Sequence, residues 1–384
     1  MYVEDDMNYK FPKIRNIEDV LPAIAGRDEF IVAERDWYTV INYMVAYNDT
    51  FQSGDDVEMS ALRRECRGLI FNKKGNLISR PFHKFFNVGE KEETDPNEIN
   101  LSDEHHILEK CDGSMIRFLQ NDDYVFAATK MGTTDIAKDV DVWVGNHQNG
   151  VEMYAFIWNS LMNNTTAIFE WVSPDNKIVV NYNEPNLILT AIRDNFTGEY
   201  IQLPTNCPFD VVKSYGSVSD IVNYIDKVRN QTGREGDVIR FKSGHMVKIK
   251  SDWYVRIHKT KDMVSLDKNI IDLIVNEEID DVKPIVDEVD LKRIENLEKV
   301  FHEGLFNTIG RLDGLAMIAK TVYSADRKKI ALEMMPNLRF KNDSPFIFKL
   351  LERTDTYNLV LDYCKKNIST TQKCNDLMEW LNAK

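Results

Sequence analysis

Lys110 stands two residues ahead of an Asp-Gly pair in Leu108-Glu109-Lys110-Cys111-Asp112-Gly113-Ser114, with Ile107 and Leu108 before it and Met115 and Ile116 after it. A turn that presents a lysine beside an acidic group and a flexible backbone suits a covalent lysine nucleophile. A free lysine titrates near 10.4, so roughly one molecule in 2,500 is neutral at pH 7. Activation by about three pKa units, or about 4 kcal/mol, would have to come from partial burial and nearby cations. Lys248-Ile249-Lys250 supplies such cations, because strand residues two apart share a face and Met246, Lys248 and Lys250 point one way. The same charges would stabilise a phosphorus centre under attack. Glu235, between glycines at 233 and 236, is a hard oxygen ligand for a divalent metal. The implied chemistry is attack of Lys110 on an α-phosphate to give a lysyl-nucleotide. A solvated strand face is the plainer meaning of the Lys248/Lys250 pair.

Further candidates flank this set. Arg63-Arg64-Glu65-Cys66-Arg67-Gly68 places basic groups and a glycine before an apolar strand. Lys84 lies among Phe82, Phe85 and Phe86, either snorkelling out of a core cluster or aimed at a phosphate from an aromatic bed. Lys130 ends the strand that returns from the Lys110 hairpin. Glu170 is one acid in the apolar run Ala167 to Val172, so it needs a cation, water, a ligand group or an edge position.

The elements that position these residues follow from periodicity. Phe30 to Val45 reads as strand-rich, and Asn48 to Glu58 as a polar loop containing Ser53-Gly54-Asp55. Lys73 to Asn76 turns a hairpin. Strands are expected at Ile107–Lys110, Ser114–Leu119, Tyr124–Lys130, Ala167–Val172, Lys177–Tyr182 and Asn186–Arg193, and as a hairpin about Ser243-Gly244. Asp139 to Leu161 reads as helix interrupted near Asn149-Gly150, and Ser217 to Asn230 as another. Beyond Lys261 only helical patterns remain, the longest running through Leu291, Ile294, Leu297, Val300, Phe301, Leu305, Ile309 and Leu312. The expected organisation is α+β: residues 1–262 as antiparallel sheets and helices carrying the chemistry, then an all-α domain at 263–384. The acidic, Pro284-containing stretch Glu277 to Asp290 is the expected seam.

A chain of 384 residues with 43% hydrophobic content can bury two cores. No apolar run approaches the roughly 18 residues of a membrane span, and acidic Met1 to Asp6 does not open a signal peptide. A cytoplasmic protein is expected, and a monomer. Its five cysteines, at 66, 111, 207, 364 and 374, lack paired spacing and are expected to be reduced thiols. A net charge of −14 argues against non-specific coating of nucleic acid. Positive charge nonetheless gathers at Arg63 to Lys84 and at Arg240 to Lys261, so a local basic groove is compatible with the acidic whole.

The ordered set Arg67-Gly68, Lys110-Cys111-Asp112-Gly113, Phe169-Glu170, Glu235-Gly236 and Lys248-Ile249-Lys250 resembles the covalent nucleotidyltransferase superfamily of ligases and capping enzymes. Glu65-Cys66-Arg67-Gly68, Ser79-Arg80-Pro81 with Lys84-Phe85-Phe86-Asn87, and His245 to Tyr254 resemble more narrowly the RNA ligase 1 family of T-even bacteriophages. The likeness spans about Arg63 to Lys261. It implies an ATP-grasp-like nucleotidyltransferase domain and ATP-dependent joining of RNA 5′-phosphate and 3′-hydroxyl ends, with Mg2+ or Mn2+, in the host cytoplasm if the gene is a phage's. It further implies that Lys110 is the adenylated nucleophile, Glu235 serves the metal, and Lys248 and Lys250 contact the α-phosphate. Arg67 would lie on the ribose side, Lys84 and Lys130 would add pocket cations, and Glu170 would border the nucleotide. Asp112 and Gly113 would shape the loop. In that family the C-terminal region is linked to tRNA selection and repair of cleaved anticodon loops.

Two alternatives stay open at this stage. A DNA ligase or capping enzyme shares the lysine motif, although those normally append a β-rich oligonucleotide-binding domain where this chain appends helices. A non-catalytic RNA-binding relative would keep the fold without the reaction, against which stands the full set of lysines.

Overall fold

This computed structural model describes residues 11–52, 56–352 and 355–383; acidic Met1–Asp6 and Ser53-Gly54-Asp55 lie outside the described residues. The chain divides into two compact units, Met1–Val255 and Arg256–Lys384. That division precedes both the expected 262/263 boundary and the acidic stretch.

In the first unit the strands are β1 Phe30–Glu34, β2 Tyr38–Tyr43, β3 Arg67–Asn72, β4 Leu77–Ser79, β5 Phe86–Asn87, β6 His105–Lys110, β7 Ser114–Asn121, β8 Tyr124–Ala128, β9 Thr165–Val172, β10 Asn186–Asp194, β11 Tyr200–Ile201, β12 Gly236–Phe241 and β13 Met246–Lys250. They form three sheets, ordered β1-β2-β3-β4, β11-β10-β9-β7-β8 and β5-β13-β12-β6. Pairing is antiparallel, as the α+β reading expects, except that β5 runs parallel to β13. Most of the unit separates those two strands in sequence, which provides the long crossover a parallel pair needs.

The β9 strand is buried along nearly its whole length. Helices Asp135–Asn146 and Gly150–Met162 pack Val140, Val144, Met153 and Ile157 against Phe169, Trp171, Leu187 and Leu189. Each such fully buried apolar side chain contributes roughly 1.5–3 kcal/mol. The helix break expected near Asn149-Gly150 is present. Two elements differ from the sequence reading. Val57–Glu65 is a helix capped by the Asp56 side chain on Met59 N–H, not a continuation of the polar loop. Lys177–Tyr182 forms no strand, because the N–H groups of Val179 and Val180 are taken by the Asp112 carboxylate and cannot serve a ladder.

A buried ion triad braces the first unit. Glu65 accepts from Arg80 and Arg193, and Arg80 also donates to the carbonyls of Pro12, Asn195 and Phe196. Burial works against the Glu65 charge, but Arg193 and Arg80 outweigh it and hold the carboxyl down at about 2. All three charges are satisfied, as full burial requires.

The second unit is helical. Glu288–Thr321 is its axis, capped by Asp287 on Asp290 N–H. Helices Asp267–Val275, Ser344–Glu352, Thr356–Lys366 and Thr371–Leu381 pack on it through a core of Ile270, Ile294, Phe301, Leu305, Phe346, Val360 and Trp380. The acidic stretch contributes Ile279 and Val282 to that core, so it is part of the unit.

Candidate active site

Strand register brings the motifs together. Gly236, at the start of β12, pairs with Lys110 at the end of β6 and with Lys250 at the end of β13. Glu235, which precedes it, is 3% exposed and bridges both lysines, with Oε2 2.8 Å from Lys110 Nζ and Oε1 3.0 Å from Lys250 Nζ. Position 236 must be glycine: its φ is +149°, and a Cβ there would lie 2.0 Å from the Ile249 carbonyl oxygen. A side chain at 236 would force apart the row that aligns the two lysines.

The loop after Lys110 is fixed by Asp112. Its Oδ2 accepts N–H groups from Val179 and Val180 at 2.8 and 2.7 Å, and its Oδ1 accepts the Tyr254 hydroxyl at 2.7 Å. The Asp112 N–H donates to Tyr182 Oη at 3.0 Å. Gly113 donates to Glu170 Oε1 at 3.2 Å, and a Cβ at 113 would lie 2.1 Å from the Trp171 carbonyl oxygen. Both residues therefore shape the loop that follows Lys110.

A cavity of about 340 Å³ opens beside this loop. Arg67, Lys84, Lys110, Glu170, Lys248 and Lys250 all line it. Glu235 meets it through its two lysine partners. Lys130 joins at one remove, with Nζ 4.9 Å from the ring of Tyr43, a wall residue that also faces Arg67 and Lys84. Lys84 rests on the aromatic bed, 4.9 Å from the Phe86 ring and 5.7 Å from that of Phe51, and still reaches the wall.

Charge is divided sharply within the cavity. Burial pushes Lys248 down to about 7, helped by Lys84, Arg67 and Lys110. Burial raises Glu170 to about 7, against the pull of Lys110 and with Glu235 adding to the rise. Tyr43 moves below the usual phenol value, because Arg67, Lys84 and Lys130 outweigh its burial. Lys110 departs from the sequence reading. Burial would lower it, but Glu235 and then Glu170 outweigh burial and raise it. The carboxylate neighbours of Lys110, and not its neighbouring cations, set the direction of this shift. Glu235 is itself buried, so its charge depends on the two lysines it bridges.

Residues 65–254 match the family model described as RNA ligase. Over that stretch the chain is similar to RNA ligases. A Thermovibrio ammonificans protein named "Putative RNA ligase" is 29% identical over 357 residues, covering 85% of this chain and 88% of that one. RNA ligase 1 of bacteriophage TS2126 is 26% identical over 210 residues, half of this chain and 51% of the phage protein. The solved structure of an archaeal ATP-dependent RNA ligase aligns over 73% of this chain and 74% of that one, at 13% identity and a TM-score of 0.42.

Sequence reasoning missed Tyr43, Thr190 and Arg240 on the wall. For Arg240 a signal existed. The hairpin about Ser243-Gly244 sets Arg240 opposite Met246 and Val238 opposite Lys248, so counting the register puts Arg240 on the lysine face. Tyr43 reads as one more aromatic in an apolar strand, and only the long-range approach of Lys130 distinguishes it. Arg67 Nη1 is buried without a hydrogen-bond partner among the described residues, a donor left for whatever enters the cavity.

Proposed function

We propose that this chain is an ATP-dependent RNA ligase in which Lys110 is the nucleophile. The observation that carries this reading is the placement of Lys110 in the wall of a cation-lined cavity, gripped by a carboxylate that also holds Lys250. The Lys110 nitrogen, once it has lost a proton, attacks the α-phosphorus of ATP; the P–N bond forms, the bond to the β-phosphate bridging oxygen breaks, and pyrophosphate leaves. The AMP then passes to an RNA 5′-phosphate, and attack by a 3′-hydroxyl joins the strands and releases AMP. Lys248 and Lys250 hold charge at the α-phosphate, while Arg67 Nη1 donates to the nucleotide's ribose side. Lys84 and Lys130 add positive potential on the Tyr43 side, and Glu170 keeps the Gly113 backbone in place.

Among the described residues no group of three or more His, Cys, Asp or Glu is arranged to hold a metal. Mg2+ commonly takes one or two protein carboxylates and completes its shell with water and substrate phosphates. Glu235, with Glu170 beside the same lysine, fits that donor set. When bound there, Mg2+ or Mn2+ would neutralise phosphate charge.

The Glu65–Gly68, Lys84–Asn87 and His245–Tyr254 motifs favour the T-even phage type within the family. On the same reading the protein acts as a monomer, 1–255 carries the chemistry, and the helical unit selects structured RNA such as tRNA halves, its Lys328, Lys329 and Lys341 being available for phosphates. No helix of the described residues is long and apolar enough to cross a membrane. The test is joining of 5′-phosphorylated, 3′-hydroxyl RNA in ATP and magnesium: ligated product is expected, and RNA that is never joined under those conditions contradicts the reading.

A further inference from the structure

A second hollow, of about 750 Å³, lies between one side of helix Asp135–Asn146 and the segment that follows β9. Its apolar surface joins Trp143 and Trp171 to Ile136, Val142 and Pro185. The half-buried Trp143 ring stands 4.7 Å from His147 and 5.4 Å from Trp171, centroid to centroid. Its polar rim carries Asn146, Gln148 and Asn176, with two exposed carboxylates, Asp139 and Asp175. No lysine or arginine lines it, whereas the first cavity is lined by Arg67, Lys84, Lys110, Arg240, Lys248 and Lys250. A phosphate is therefore disfavoured in the hollow. Flat apolar surface beside amides and carboxylate acceptors suits a nucleobase that offers an amine.

The hollow is wired to the catalytic loop. Glu170 lines the first cavity and Trp171 the second, since neighbouring strand residues face opposite sides of the sheet. Asn176 donates to the Trp171 carbonyl at 3.2 Å and to Ser114 Oγ at 3.1 Å. Ser114 directly follows Gly113, and β7 pairs it with Trp171. An occupant on Trp143 and Trp171 would thus sit at the rim of the sheet that carries the Lys110 loop.

We propose that this hollow is a subsite for an unpaired, amine-bearing base of the RNA substrate, a cytosine, adenine or guanine, stacked on Trp143. The proposal rests on the RNA ligase reading above, and its test separates the two. Short single-stranded RNA containing 5-iodocytidine is irradiated with the full-length protein, and the cross-linked peptide is mapped. Attachment at Trp143, His147 or Trp171 is expected. Trp143→Ala should bind oligocytidylate roughly tenfold more weakly, as loss of one base stack does, with Lys110 adenylation from ATP unchanged. Asp139→Asn with Asp175→Asn leaves the aromatic packing untouched and so guards against a folding artefact. That pair should narrow the preference for oligocytidylate over oligouridylate several-fold. Normal adenylation with cross-links only elsewhere, or with binding and base preference unchanged in both variants, overturns the subsite alone. Absence of any adenylate in the wild-type protein overturns the underlying reading and this one with it.

Discussion

Glu235 grips the Lys110 ammonium at 2.8 Å while its second oxygen holds Lys250 at 3.0 Å. Lys110, the proposed nucleophile, is thus held as the ammonium, its pKa raised by the acid that positions it. Reaction requires that this grip be relaxed, and an incoming cation competing for Glu235 is a direct way to do so.

Glu235→Gln keeps the shape and removes the charge. Adenylation should slow by roughly a hundredfold, the scale of losing one positioned electrostatic group. Whatever rate remains should have its rising pH limb displaced to lower pH, because the carboxylate that raises Lys110 is gone. Single-turnover adenylation across pH, at several magnesium concentrations, measures both. An unchanged rate and limb would show that Glu235 controls neither proton nor metal.

Lys248 gives a proton signature. With its pKa pushed down to about 7, it is roughly nine-tenths neutral at pH 8. ATP phosphates beside it would restore the charge, so binding without divalent metal should take up close to one proton at that pH. Calorimetry in buffers of different ionisation enthalpy reads this, and Lys248→Met should abolish it. The unfolded chain also binds the extra proton between pH 7 and the ordinary lysine value of 10.5. Wild-type stability should therefore rise across that window relative to Lys248→Met.

Two glycines are steric necessities. A Cβ at Gly113 would meet the Trp171 carbonyl at 2.1 Å, and one at Gly236 the Ile249 carbonyl at 2.0 Å. Both obstacles are backbone in paired strands and cannot swing aside. Gly113→Ala and Gly236→Ala should each cost about 2–4 kcal/mol, in the upper range for single substitutions, and should displace the Lys110 loop. Urea denaturation and adenylation, measured together, check this.

The site was legible where its chemistry depends on local order. The Lys110 motif, the Lys248/Lys250 alternation and Glu235-Gly236 each declare themselves within a few residues, and hairpin register then aligns them. What the sequence hides is contact across long separation. Asp112 spends its carboxylate on Val179 and Val180 N–H groups and so converts an apparent strand into a loop. Glu65 finds Arg193 across the fold. The raised Lys110 pKa was misread for the same reason: the two carboxylates that raise it lie far away in sequence.

Division of labour between the units is testable by truncation. A chain ending at Val264 keeps Tyr254, whose hydroxyl anchors Asp112. It should still form the Lys110 adenylate and join simple single strands, with altered preference among structured RNAs. A folded truncation that no longer adenylates would make the helical unit part of the catalytic apparatus.

The most direct measurement is the mass of the protein after incubation with ATP and magnesium. Wild type should gain one AMP, mapped by peptide analysis to Lys110, and Lys110→Ala should gain none. That variant should still join RNA already carrying a 5′-adenylate better than it joins RNA from ATP, since the final step does not use Lys110 as nucleophile. Label from α-labelled ATP covalently attached to Lys110→Ala would contradict the account at its centre.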